Sequence, residues 1–233
     1  MAITDPIDTA LERRFRRAQF LMSTPDHHKL PPDEGREVAF AGRSNAGKSS
    51  AINTLVGHTR LAFVSKTPGR TQLINFFRLP IGAYLVDLPG YGYAAVPEAI
   101  RNQWQNLLER YLKQRENLIG LVLIMDARRP LTPLDRHMLD WYAPGGRPIH
   151  VLLTKSDKLA RGPAKQTLET TRRELAAWGD RVTVQLFSSL KRLGIEEAEQ
   201  AIGGWLDADP LIDAPGGKEK PPVKGEKTGG KTP

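Results

Sequence analysis

Apolar positions in this chain follow two periods, and the alternation between them predicts a fold. Near-continuous apolar runs at 118–126 and 148–154 read as strands covered on both faces, and shorter runs at 37–41, 72–78, 83–87 and 182–188 predict further strands. Between them, apolar residues recur at helical spacing over 48–56, 98–115, 133–142, 164–178 and 195–206. Thr132 followed by Pro133 supplies a cap and a first-turn proline for the helix at 133–142. Strands and helices in alternation imply a largely parallel sheet between two helical layers. The exception is the pair 72–78 and 83–87, whose connection Leu79-Pro80-Ile81-Gly82 is too short for a helical crossover and predicts an antiparallel hairpin. The expected fold is α/β and three-layered: a mixed, mostly parallel six-stranded sheet with one antiparallel edge strand and helices on both faces.

Ahead of the first strand, Ile7, Ala10, Leu11, Phe15, Ala18 and Leu21 recur at helical spacing among Arg13, Arg14, Arg16 and Arg17. This predicts a basic amphipathic helix over 5–22, laid on the domain and broken by the proline-bearing stretch 25–35. Beyond about residue 213 the composition collapses into Pro, Gly, Lys and Glu, which cannot bury enough apolar surface to order itself. The expected organisation is a helix and linker over 1–35, one compact domain over 36–208 and a disordered tail over 209–233.

Composition narrows the chemistry. The 233 residues include no cysteine, so disulfides, thiolate metal sites and thiol catalysis are excluded and a reducing cytoplasm is the expected compartment. The longest apolar stretch, 118–125, is far short of the roughly 20 residues of a membrane helix, so no membrane partner is expected. A formal net charge of +8 favours an anionic partner such as nucleic acid or a ribonucleoprotein surface, and ordinary solubility charge is the alternative.

Immediately after the strand at 37–41 stands Gly42-Arg43-Ser44-Asn45-Ala46-Gly47-Lys48-Ser49, a G-x-x-x-x-G-K-S loop followed by a helical pattern. Such a loop turns backbone amides around a polyphosphate, and the helix start adds its positive dipole end. Lys48 would neutralise the outer phosphates and the Ser49 hydroxyl would complete a Mg2+ shell. Replacing Lys48 by alanine is expected to abolish nucleotide binding without unfolding the sheet.

This loop alone allows an ATPase, a kinase or a GTPase, so the base has to be read elsewhere. Thr154-Lys155-Ser156-Asp157 follows the strand at 148–154, at the end where ligands bind in open α/β sheets. Guanine offers N1–H and an exocyclic amine to the two oxygens of one carboxylate, whereas adenine would leave Asp157 unpaired. Lys155 can cover the base and reach back to the phosphate loop, and a backbone amide within Phe187-Ser188-Ser189 can meet guanine O6. Asp87-Leu88-Pro89-Gly90 closes a hairpin strand, where Asp87 can hold magnesium through water and the Gly90 amide can sense a γ-phosphate. The polar segment Ser65-Lys66-Thr67-Pro68-Gly69-Arg70-Thr71-Gln72 has the character of a switch. Thr71 is the preferred second magnesium ligand, with Thr67 its rival.

Taken together, G-R-S-N-A-G-K-S-S, T-P-G-R-T-Q-L-I-N-F-F, D-L-P-G-Y-G-Y, T-K-S-D and F-S-S resemble the EngB (YihA/YsxC) family of bacterial GTPases, within the TrmE-Era-EngA-EngB-Septin-like group. The match runs from about Phe15 to Leu206, and the T-P-G-R-T-Q and D-L-P-G-Y-G-Y stretches are its distinguishing part. The resemblance implies a Ras-like domain, GTP bound and hydrolysed with Mg2+, a role in assembling the large ribosomal subunit, and involvement in cell division and septation. The nucleotide contacts it implies fall on residues 42–49, on Gly69, Arg70, Thr71, Gln72 and Leu73, on residues 87–90 and 154–157, and on Phe187, Ser188 and Ser189. Lys48, Thr71 and Gly90 would serve hydrolysis, with Ser49 and Thr71 on the metal. The implied partner is the large subunit or its precursor, rRNA and ribosomal proteins rather than DNA, and the chain is expected to be a monomer.

Ras-type enzymes place a glutamine just after D-x-x-G to orient the attacking water, but here Tyr91-Gly92-Tyr93 follows. Slow intrinsic turnover, raised by a partner or an ion, is therefore expected. Asn45 resembles the asparagine with which related GTPases seat K+ beside the phosphates, and its alternative role is to hold the loop's shape. Tyr91 and Tyr93 would either stack on RNA or cap the core, while the arginines at 13–17 and the tail lysines suit phosphate contacts. Two other classes compete: a scaffold that binds GTP and hardly turns it over, and a small-molecule kinase using Arg128, Arg129 and Arg136 as phosphate clamps.

Overall fold

A computed structural model of the chain describes residues 14–32, 34–62, 73–92 and 98–207, with backbone alone over 98–105. Among the described residues seven strands form one sheet: β1 (Gln19–Thr24), β2 (Glu37–Gly42), β3 (Ile74–Arg78), β4 (Tyr84–Asp87), β5 (Leu118–Asp126), β6 (Ile149–Thr154) and β7 (Val182–Leu186). Among the described residues five α-helices accompany them: α1 (Lys48–Leu55), α2 (Glu98–Gln114), α3 (Pro133–Tyr142), α4 (Arg161–Leu175) and α5 (Ile195–Asp207). The strand order is β1-β3-β4-β2-β5-β6-β7. Neighbours from β4 through β7 pair in parallel, and β3 is antiparallel to both β4 and β1.

The mostly parallel, three-layered sheet with antiparallel pairing at one edge is the expected one, but it has seven strands rather than six. The added strand is β1, where the apolar spacing predicted a helix running on to residue 22. Residues 14 and 15 are helical, Arg17 then takes a left-handed φ of +70°, and the chain pairs with β3. Cross-strand contacts outweigh the helical periodicity: Ser23 donates to Asn75 at 2.5 Å, and Phe20 meets Phe77 edge-to-face at 6.2 Å. The predicted helix at 164–178 starts earlier, at Arg161, and closes as a 3-10 turn over Ala176–Trp178.

Apolar runs in β2, β5 and β6 are continuous because both faces are covered. Ala39, Leu121, Leu123, Val151 and Leu153 pack against α2, α3 and α4 through Tyr111, Leu139 and Leu175. Val38, Phe40, Val122, Ile124 and Leu152 face α1 and α5 through Ile52, Leu55 and Ile202. At the amino end of β2, away from the phosphate loop, Glu37 is fully buried and accepts from Arg115 Nε at 3.0 Å and from the Tyr111 hydroxyl at 2.7 Å. Arg115 also donates to the Pro31 carbonyl at 3.0 Å, tying the linker to the sheet.

Candidate nucleotide-binding site

All the parallel strands end at one edge of the sheet, and each end carries a polar segment. β2 runs into the Gly42–Ser49 loop, β4 ends at Asp87, β5 at Asp126, β6 at Thr154 and β7 at Leu186. The carboxyl edge of such a sheet is where ligands bind.

Two left-handed residues bend the loop, Asn45 at φ +61° and Gly47 at φ +104°. Asparagine tolerates that region, whereas Gly47 opens α1 directly and leaves the first-turn amides facing the loop. Gly42 is small for another reason: a Cβ there would lie 2.7 Å from the Ile124 carbonyl of β5. The loop's far side rests on β6, whose Thr154 hydroxyl bonds the Ala46 carbonyl. Ser49 is the second residue of α1 and is half-buried.

Lys48 is buried and paired with Asp87 Oδ1, while Asn75 reaches the other carboxylate oxygen at 3.4 Å. Both Lys48 and Asp87 thus stand at the phosphate end of the site, and an incoming polyphosphate would compete with Asp87 for the ammonium. Leu88 and Pro89 are buried, and Gly90 packs so closely on the loop that a Cβ would come within 3.3 Å of Ser44 Cα. One residue on, Tyr91 donates its amide to Gly42 O at 3.3 Å and accepts from the Ser44 amide at 3.0 Å. The Tyr91 hydroxyl donates to Asp135 Oδ1 at 2.9 Å, and burial together with the Asp135 charge pushes it well above the ordinary phenol range. Tyr91 therefore packs and hydrogen-bonds rather than presenting a free ring.

Just past the end of β6, Lys155 takes a left-handed φ of +56° and reaches back over the loop to the Asn45 carbonyl at 2.6 Å. Asp126, at the end of β5, holds the same ammonium at 3.0 Å and is bound by Arg128 at 2.9 Å. Burial alone would raise the Asp126 carboxyl, but the hydrogen bonds from Arg128 and Lys155 override it and keep it well below the usual carboxylate range. Ser156 is locked to the Phe187 carbonyl through its amide at 3.2 Å and its hydroxyl at 3.0 Å. That lock joins the ends of β6 and β7 and brings the Ser188 hydroxyl to Asp157 Oδ1 at 2.5 Å. The same hydroxyl keeps the Asp157 carboxyl below its ordinary range, ionised and ready to accept.

The loop, Asp87 to Gly90, Thr154 to Asp157 and Phe187 to Ser189 are all placed at this one edge, and Leu73 is described just before β3. Thr67, Gly69, Arg70, Thr71, Gln72 and Tyr93 lie outside the described residues, as do residues 5–13 of the helix expected over 5–22 and the tail expected over 209–233. Within the last motif one amide is ruled out for a base oxygen, because Ser188 N–H already donates to Leu193 O at 3.0 Å, leaving the task to its neighbours. Asp126, Asp135 and Asn75 were not singled out from the sequence, since an acid at a strand end or an asparagine within a strand carries no local motif. Two of the clamps required by the kinase alternative are already engaged: Arg128 is paired with Asp126, and Arg136 with Glu174 and the Leu131 carbonyl. Beside the loop opens a cleft of about 450 Å³, lined by Arg43, Ser44, Asn45, Asp126, Arg129 and Lys155.

A magnesium ion fits the donor set. Such an ion keeps several waters and takes one or two protein oxygens beside substrate phosphates. The Ser49 hydroxyl and the buried Asp87 carboxylate match that demand, and no acidic cluster able to hold a metal by itself occurs among the described residues.

Comparison with known proteins bears on the family of the chain. Residues 37–155 match the family described as 50S ribosome-binding GTPase. A "Probable GTP-binding protein EngB" of Aromatoleum aromaticum is 69% identical over 205 residues, covering 86% of this chain and 95% of the relative. One of the same description from Neisseria meningitidis serogroup B is 59% identical over 196 residues, covering 83% and 93%. Among solved structures, a probable GTP-binding protein engB superposes with a TM-score of 0.59 at 21% identity, over 73% of this chain and 98% of that one. Era in complex with MgGDPNP and nucleotides 1506-1542 of 16S ribosomal RNA superposes with a TM-score of 0.59 at 23% identity, over 77% of this chain and 59% of that one. These two structural likenesses speak to the fold alone. The sequence matches extend over nearly the full length of each relative with the phosphate loop inside them, and the chain therefore belongs to the EngB family of GTP-binding P-loop GTPases.

Proposed function

We propose that this protein is a slow GTPase switch that acts in assembly of the large ribosomal subunit, with guanine read by Asp157 and the phosphates held by residues 42–49. The observation that carries the reading is the Asp157 carboxylate, fixed by Ser188 at 2.5 Å on the same sheet edge as the phosphate loop. An ionised, oriented carboxylate accepts two parallel donors from guanine and repels the lone pair that adenine presents. Lys155, tied to the Asn45 carbonyl, couples base and phosphate halves of the site.

Ser49 and Thr71 would hold the Mg2+, which neutralises phosphate charge when bound. Lys48 leaves Asp87 for the phosphates, and the Gly90 amide, packed against Ser44, senses the terminal one. The Tyr91 hydroxyl is committed to Asp135, so it does not orient water, and intrinsic turnover is slow. Asn45 is a proposed K+ ligand: it is exposed at the loop tip, and its side-chain amide makes no hydrogen bond among the described residues. The net charge of +8 and the match to a 50S ribosome-binding family support a ribosomal partner, and a role in division and septation follows by family. No helix among the described residues is long and apolar enough to cross a membrane, which supports a cytoplasmic site of action.

The test is cosedimentation with large ribosomal subunits at increasing salt, in GTP and GDP states, with phosphate release followed in potassium and in sodium. Binding that requires GTP and falls with salt, with faster release in potassium, is expected. Subunit binding indifferent to the nucleotide refutes the switch, and equal rates in the two salts remove the potassium site. A second reading, a GTP-bound scaffold with little turnover, draws on the absence of glutamine beside Gly90, and it is the outcome if release stays negligible on subunits.

A further inference from the structure

Beyond the residues that would touch the nucleotide, we infer that Gln185, backed by the buried His150, is a positioning residue for guanine selectivity. The inference rests on the reading of Asp157 given above. Gln185 lies on β7, one strand residue before Leu186, and its side chain turns to the base of the loop that carries Ser188. Its Nε2 donates to the Gly194 carbonyl at 2.7 Å, and its Oε1 faces His150 Nε2 at 2.8 Å. Because the amide nitrogen is spent on Gly194, the oxygen must accept from His150, which assigns the imidazole proton to Nε2. Nδ1 then accepts from the Thr183 hydroxyl at 2.7 Å. The imidazole is only 5% exposed and is held edge-on to Trp205, so it is a fixed post rather than a mobile side chain.

Gly194 shows how tightly this clamp closes. It has a φ of +76°, and a Cβ there would lie 2.2 Å from the Leu186 carbonyl and 2.6 Å from Gln185 Nε2. From Ser188 to Gly194 the chain therefore forms a loop with two ties at its neck, the Ser188–Leu193 backbone pair and the Gln185–Gly194 bond. Its side-chain hydrogen bond to Asp157 comes from Ser188, whose hydroxyl also accepts from the Lys191 amide at 3.1 Å within the loop. Release of the Gln185 tie lets the Ser188 hydroxyl move relative to Asp157, so the carboxylate loses the orientation that pairs both guanine donors. The phosphate loop is on another strand and keeps its shape.

The experiment compares Gln185→Met, which fills the same space without hydrogen bonds, with the parent chain by calorimetry against GTP and ITP, which lacks the exocyclic amine. GTP affinity is expected to fall about tenfold and ITP affinity less than twofold, so selectivity narrows about fivefold or more. Equal losses for both nucleotides, or no loss for either, overturn the inference. Should Gln185→Met fold poorly, Gln185→Glu keeps the acceptor for His150 but sets an oxygen against the Gly194 carbonyl, and the same narrowing is expected; unchanged selectivity in that variant overturns it equally. Failure of the underlying reading has a different signature: the parent chain itself would bind ATP as tightly as GTP, and the inference would fall with it.

Discussion

Removal of Lys48 tests the site and the fold together. Lys48 is the only cationic partner of Asp87 among the described residues, and the two side chains are 10% and 2% exposed. In Lys48→Ala the carboxylate stays buried at the end of a central strand, with the Asn75 amide at 3.4 Å as its remaining side-chain neighbour. Deleting one member of a buried ion pair costs about 3–5 kcal/mol, because the other charge is left without compensation. Against a total stability of about 5–15 kcal/mol this is a large share. With a urea slope of roughly 2–3 kcal/mol/M, the unfolding midpoint should drop by roughly 1–2.5 M. Lys48→Ala is therefore expected both to lose nucleotide binding and to be a weaker fold, and the second effect was not suggested by the sequence alone. In Lys48→Ala/Asp87→Asn no charge remains to be buried, and most of the midpoint should return while nucleotide binding stays absent. Urea melts of both variants, with binding measured in parallel, decide the matter. A single variant within about 1 kcal/mol of the parent, or a double variant no more stable than the single, refutes the reasoning.

Two further outcomes follow from the same geometry. Asp157→Asn exchanges two acceptor oxygens for one oxygen and one amide donor, so preference should shift from GTP to XTP, whose base presents an oxygen where guanine has its amine; competition binding that retains GTP preference would count against Asp157 as the base reader. His150 has a pKa below the usual histidine value, chiefly through burial, and it faces the uncharged Thr183, Gln185 and Trp205. Its folded pKa lies below the unfolded one, so the stability it contributes is present above about pH 6.5 and is lost as pH falls through the folded value. Urea midpoints of the parent should decline from pH 7.5 to 5.5 more steeply than those of His150→Gln, and parallel slopes would show that His150 is not the group responsible.

What local sequence determined is what local physics controls. The G-x-x-x-x-G-K-S run dictates a left-handed bend followed by a helix start, the apolar runs dictate strands buried on both faces, and Thr132-Pro133 marks a helix entry, so fold class and phosphate loop were legible without coordinates. The acid proposed to read the base was also picked out from the sequence, because T-K-S-D follows a strand that could be recognised from its own residues. Decisions made between distant segments were not. β1 is a strand because β3 offers it a partner, although its spacing looked helical. Lys48 rests on Asp87, Lys155 is shared by Asn45 and Asp126, and Tyr91 is held by Asp135, each through contacts between residues far apart in the chain. His150, Gln185 and Gly194 look like unrelated positions until β6 and β7 lie side by side. Hydrogen-bond partners and buried charges are set by which strand ends meet at one edge, and that is a property of the sheet order rather than of any one segment.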